Sequence, residues 1–427
     1  MSPAGNYHDR VHVDDYAEPV FAPEVAATIE AAKPLVDLMP LDVDAICDHA
    51  SEELSASGRC FDDFGGVDGD DFRVRMKALL DAYSSAPALS HMGHITVHTV
   101  FLQLVRNRLL LADLLARHPQ IHEIEVTAPI IIAGLPRTGT THLHNMLSAD
   151  PSLRSLPYWE SVEPVPPPGD VTSVDGIDPR RARTQAACDF MDAALPYFKR
   201  MHEMTADHVH EEIQLLAIDF SSMFFETLAL IPTWRDRYLA ADQTPHYEYL
   251  KTVLKALTFL RGGTRWVLKS PQHLEQFAVL ARVFPDATVV VTHRDPVAVT
   301  ASMATMIAYT LRMQTDPVDP SMVGGYWADR LQRMLGRAVA ERDLLPADRS
   351  IDVRFDEFMA DDLATVARIY DLAGQPLDDR ARAAHESYLA SHQRERHGGL
   401  VYDLADFGLD ADDLQSGFAT YSARFLG

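Results

Sequence analysis

The chain has 427 residues, 47% of them apolar, and a formal net charge of −24. That much apolar material supplies a sizeable core and excludes a disordered chain. The charge argues against a nucleic-acid partner, whose phosphates want a basic face, but it leaves room for an anionic small ligand, which needs only a local cluster of cations.

Met1 to Val20 is polar and acidic, without the apolar stretch of a secretory signal. No apolar run reaches the length of a membrane span. The expectation is a cytoplasmic protein without an integral membrane segment. Cys47, Cys60 and Cys188 are too few and too scattered for a disulfide framework or a zinc knuckle. Residues 1–125 read as a helical region. Phe72, Met76, Leu79, Leu80 and Tyr83 form a stripe at helical spacing. A second run from His94 to Arg117 carries Val97, Phe101, Leu104, Val105, Leu109 and Leu111, and His118-Pro119 closes it. No chemistry is visible here; the region is expected to pack on the rest or to form a partner interface.

From Val126 the pattern changes to short β-rich runs alternating with helices, the mark of a parallel sheet with crossovers. Pro129-Ile130-Ile131-Ile132-Ala133 reads as a buried strand. It leads into Gly134-Leu135-Pro136-Arg137-Thr138-Gly139-Thr140-Thr141, and His142 to Leu147 can continue as a helix. Strand, glycine-bounded loop and helix make an anion cradle of backbone N–H groups and a helix N-terminus. A Walker loop needs Lys directly after the second glycine. Thr140 stands there instead, and the cation is Arg137, inside the loop.

Pro164 to Gly169 is a Pro-rich loop, and residues 178–260 read as a helical insertion. Strands are expected at Trp266-Val267-Leu268, Thr288 to Thr292 and, more weakly, Ile351 to Phe355, with a helix from Leu274 to Phe284. In such sheets ligands bind at the carboxyl ends of strands. Three of those ends carry polar residues: the cradle, Lys269-Ser270 and His293-Arg294-Asp295. Ser302 lies eight residues after Arg294, in a helix opened by Asp295-Pro296. Guanidinium and hydroxyl can meet one anion from that spacing.

This set resembles the sulfotransferases that use 3′-phosphoadenosine 5′-phosphosulfate. Gly134 to Thr141 is similar to their 5′-phosphosulfate loop. His293-Arg294-Asp295-Pro296 through Ser302 is similar to their 3′-phosphate motif. Trp266 to Pro271 resembles the strand that delivers a catalytic Lys. Tyr158-Trp159-Glu160, His397 to Leu404 and Phe407-Gly408-Leu409 resemble signatures of the broad bacterial branch. The resemblance spans residues 125–427 and implies an α/β fold: a P-loop-like three-layer core, with a central parallel sheet flanked by helices, plus the helical N-terminal region (1–125) and the insertion. It implies in-line transfer of a sulfuryl group to a hydroxyl of a small molecule or lipid, with no metal required.

On the same footing, Arg137, Thr138, Gly139, Thr140 and Thr141 would hold the 5′-phosphate, Arg294 and Ser302 the 3′-phosphate, and Arg394 and Arg396 would close over it. Arg137 and Lys269 would neutralise the leaving oxygen. Glu160 is the first choice of general base and His273 the second, displaced from the family's position by Pro271. Glu211 and Glu212 stand in reserve. Asp207 to Glu212 is dense in His and Glu, but Gln214 breaks the metalloprotease spacing. An acidic first helical turn capped by Asp207 is expected there. Two other readings stay open, a P-loop nucleoside kinase and a non-catalytic nucleotide-binding protein. A homo-oligomer is also left open.

Overall fold

The computed structural model describes residues 10–66, 71–86, 89–170, 176–392 and 397–427. The arginines at 394 and 396 lie outside them. In chain order the strands are β1 (Arg10–Val11), β2 (Ile130–Gly134), β3 (Val267–Lys269), β4 (Thr288–His293), β5 (Ser350–Arg354) and β6 (Gly399–Leu400). The central sheet runs β3-β2-β4-β5, all parallel. β1 pairs with β6 in a separate parallel ribbon that sequence periodicity did not reveal.

Strand alternation divides the sheet's side chains between two cores. Ile131, Ala133, Leu268, Val289 and Val291 join one cluster; Ile130, Ile132, Val267, Val290 and Val353 join the other. Helices cover both faces, giving the expected three layers. The larger cluster also contains Ile46, Phe72, Met76, Val97 and Phe101, so the N-terminal helices share a core with the sheet. The register pairs Ile132 with Lys269 and Gly134 with Thr292. The carboxyl ends of β2, β3 and β4 therefore open side by side.

The long N-terminal helix His91–Arg117 packs closely on Pro296–Gln314. Ser90 caps it, accepting from the Gly93 amide at 2.9 Å and donating to the Met313 carbonyl at 2.6 Å. A Cβ at Gly93 would sit 1.9 Å from the Gln314 carbonyl oxygen, so only glycine permits this approach. Between β2 and β3 the chain is largely helical, including Pro179–Ala194, Pro232–Ala240 and Thr244–Arg261. Among the described residues no helix is long and apolar enough to cross a membrane.

Two local expectations need correction. The helix expected over Leu274 to Phe284 is a 3-10 turn, Pro271–Glu275, followed by the helix Phe277–Val283. Gln276, at φ −134° and ψ 29°, lies outside helical geometry and separates them. The helix expected to open at Asp207 begins only at Ile213. Tertiary pairing overrides the local signal. Tyr158 N–H bonds the His208 carbonyl at 2.9 Å, His210 N–H bonds the Leu156 carbonyl at 2.7 Å, and Val209 bridges to Pro157. Asp207 instead pairs with Arg181.

A buried ion cluster braces these layers. Asp219 accepts from Arg75 at 2.8 Å, Arg108 at 2.6 Å and His246 at 2.6 Å. Burial opposes ionisation of its carboxyl, but His246 and the two guanidiniums outweigh that and hold the pKa below its ordinary value. Asp219→Ala leaves Arg108 buried without its carboxylate and should cost about 3–5 kcal/mol. The check is the urea midpoint by circular dichroism. A midpoint matching the wild type would mean that the cations find other partners.

Candidate functional site

The cradle is shaped by residues that admit no alternative. A Cβ on Gly134 would lie 1.9 Å from Thr292 Oγ1. Gly139 sits at φ +85°, the left-handed position that opens the helix Thr140–Ser148. Arg137 is also left-handed, at φ +70°. A non-glycine residue there carries strain of about 1–3 kcal/mol, which neighbours must hold. They do so directly. Arg137 Nε donates to Ser302 Oγ at 3.1 Å, its Nη1 donates to the Met201 carbonyl, and Arg294 Nη1 donates to the Arg137 carbonyl at 2.6 Å.

Three residues predicted on two separate motifs thus meet in one network. Among the described residues neither Arg137 nor Arg294 has a carboxylate partner within ion-pair distance. Asp295 is turned to the Val297 amide, which donates to it at 3.0 Å, capping the helix Pro296–Gln314. The Arg294 guanidinium lies 4.1 Å over the Phe355 ring. Burial, and then the charge of Arg137, lower its pKa. Two guanidiniums held together without a counter-charge make a place for an anion.

The cavity in front of them measures about 1390 Å³, above the roughly 300–1,000 Å³ usual for a small-molecule site. Arg137, Gly139, Thr140, Thr141, Arg294 and Ser302 line it. Thr138 does not. Its hydroxyl donates to the Leu135 carbonyl at 2.6 Å and meets Thr292 Oγ1 at 2.7 Å, shaping the loop from inside. Among the described residues Arg10, Lys199 and Arg200 add three further cations to the wall. The lining is therefore locally basic in a chain of net charge −24. Phe355, beside Arg294 and Gly139, lines the cavity together with Met359, Tyr388 and His392. Met92, Met191, Met223, Phe224, Leu228 and Met306 give the lining an apolar lobe.

Lys269 ends β3 and is 2% exposed. Its ammonium pairs with Glu211, and it is Glu211 that lines the cavity. Glu212 lies behind, accepting from the Lys269 amide at 2.8 Å and facing His273 Nε2 at 2.5 Å. Burial raises the pKa of Glu212, but His273 and these hydrogen bonds outweigh it and the net shift is downward. Tyr247 OH holds the other nitrogen of His273 at 2.8 Å. His273 is thus fully committed within the core.

Glu160 is also outside the cavity wall. It is 0% exposed and pairs with Arg154 at 2.5 Å and Arg261 at 3.3 Å. Sequence reasoning ranked it first on chain position, which carries no information about these distant partners. A further group was not assembled from sequence. His202, His208 and His210 bring their ring nitrogens within 4.8 Å of one another on the cavity wall. Burial drives all three toward the neutral form, with Lys269 adding to the effect; His208 falls to about 4. The His-x-His spacing at 208 and 210 was the available signal.

The sequence pattern of the sulfotransferase family matches residues 129–379. The structure is similar to sulfotransferase STF1 from Mycobacterium tuberculosis H37Rv, with a TM-score of 0.75 and 30% identity, covering 88% of this chain and 98% of that one. It is also similar to sulfotransferase STF9 from Mycobacterium avium, with a TM-score of 0.77 and 26% identity, covering 90% and 96%. Among curated proteins none matches the chain.

Glu160→Gln keeps the shape but removes the charge that Arg154 and Arg261 share. A structural brace predicts a loss of about 1–3 kcal/mol in unfolding free energy, with the cavity's ligand affinity unchanged. Unaltered stability with impaired turnover would return Glu160 to the chemistry.

Proposed function

The chain belongs to the sulfotransferase family, and from that premise we propose that it moves a sulfuryl group from 3′-phosphoadenosine 5′-phosphosulfate to a hydroxyl of a small molecule or lipid. The observation that carries the donor assignment is the network joining Arg137, Ser302 and Arg294. It opens the glycine-bounded cradle and a second cation–hydroxyl pair onto one cavity, which supports a nucleotide phosphorylated at both ends. The kinase reading lacks its lysine at Thr140. The apolar, methionine-rich lobe suits an acceptor with a hydrocarbon body.

The donor supplies a sulfuryl group activated on a phosphate. In this reading the amides of Arg137 to Thr141 and the helix N-terminus hold the 5′-phosphate, while Arg294 and Ser302 hold the 3′-phosphate. Phe355 and Tyr388 flank the base. Lys269 leaves Glu211 for the bridging oxygen and neutralises the charge that develops there. The freed Glu211 carboxylate accepts the acceptor's proton as its oxygen bonds to sulfur and the sulfur–oxygen bond to the nucleotide breaks. Glu211 takes this role in place of Glu160 or His273 because it lines the cavity and pairs with Lys269. A sulfuryl group carries less charge than a phosphoryl group, so the donor needs no magnesium clamp.

Titration calorimetry with 3′-phosphoadenosine 5′-phosphate tests the donor assignment. Micromolar binding without magnesium, weakened about 10–100-fold in Arg294→Ala through loss of a charge-assisted pair, is expected. A preference for magnesium–ATP would contradict it. Lys269→Ala should keep that affinity within a few-fold yet cut turnover at least about 100-fold. Retained turnover would remove Lys269 from the mechanism.

A further inference from the structure

His208-Val209-His210 is extended and pinned by its backbone to Leu156 and Tyr158. Alternate residues of an extended segment point the same way, so both rings face the cavity. His202 follows the short helix Phe198–Met201 and reaches the same spot. The His202 and His208 ring centroids are 5.2 Å apart, and those of His208 and His210 are 6.2 Å apart. Among the described residues none of these rings makes a side-chain hydrogen bond. His210 is 8% exposed, and its Nδ1 is buried with no partner. A buried polar atom left unpaired is costly, and two further rings without a hydrogen-bond partner converge on it.

We propose that His202, His208 and His210 form a three-nitrogen site for a divalent transition metal of the zinc class, with its fourth position open to the acceptor lobe. Three imidazoles are the donor set that suits zinc with one exchangeable position. Nitrogens sharing a tetrahedral ion lie about 3.4 Å apart, so small ring rotations from the present 4.8 Å span close the site. The nearby cations do not compete for the rings. Lys269 is engaged by Glu211, and Arg137 by Ser302 and the Met201 carbonyl. Glu203 also lines this wall, and its negative charge acts at His208 and favours a dication there. The open position would take an oxygen of the acceptor and orient it. Metal binding itself does not depend on the donor assignment, and it is measured without donor or acceptor.

The test uses tag-free full-length protein, dialysed against a chelator and titrated with zinc alone by calorimetry. One ion per chain at micromolar affinity or tighter is expected. His208→Ala and His210→Ala should each weaken it at least about 100-fold. Cobalt added to the wild type should give the intense visible absorption of a four-coordinate ion, a readout that needs no variant to fold. Absence of stoichiometric zinc binding, binding that both variants retain, or a six-coordinate cobalt spectrum would each overturn the site.

Discussion

The cavity depends on a backbone held where most residues do not go. Arg137 keeps its left-handed conformation because Arg294 donates to its carbonyl and its own side chain is anchored on Ser302 and Met201. Those anchors come from the end of β4, the helix after it and the helical segment before β3. The cradle is therefore not a free-standing turn. Its shape is set only when three separate parts of the chain have docked. The parallel register makes this possible by bringing the ends of β2, β3 and β4 to one edge.

Charge is organised at two scales. The chain as a whole is strongly acidic, yet the cavity wall gathers arginines. Elsewhere buried cations are matched by carboxylates. Arg330, with a side chain 0% exposed, lies between Glu226 and Glu275, and Arg108 lies on Asp219. Arg137 and Arg294 differ in having no such partner among the described residues. Placing two partly desolvated guanidiniums side by side is unfavourable by itself. An anion that enters between them relieves that cost.

What could be read from the sequence was what local pattern controls. The run Ile130 to Ala133 marks a strand buried on both faces, and Gly134 and Gly139 mark the turns that need glycine. The Arg294 to Ser302 spacing marks a strand end and a helix face. These elements stand where they were expected. Harder to read was whatever distant partners decide. Glu160 looked available until Arg154 and Arg261 enclosed it. The segment after Asp207 has helical caps in its sequence, yet it lies extended because residues 156–158 pair with it. Glu211 reaches the cavity for that same reason. The three histidines follow the same rule: 208 and 210 are visible as a pair, but His202 joins them only through the fold. The ribbon of β1 and β6 joins the two ends of the chain, a pairing that no local window contains.

The central claim is that the loop and the strand-end arginine act as one anion-binding device. A double-mutant cycle on Arg137 and Arg294, read by calorimetric affinity for 3′-phosphoadenosine 5′-phosphate, tests it most directly. A coupled device predicts that the two losses fail to add, by about 1 kcal/mol or more. Losses that sum within about 0.3–0.5 kcal/mol would mean that the two arginines bind independently, and the account of a single interlocked site would be wrong.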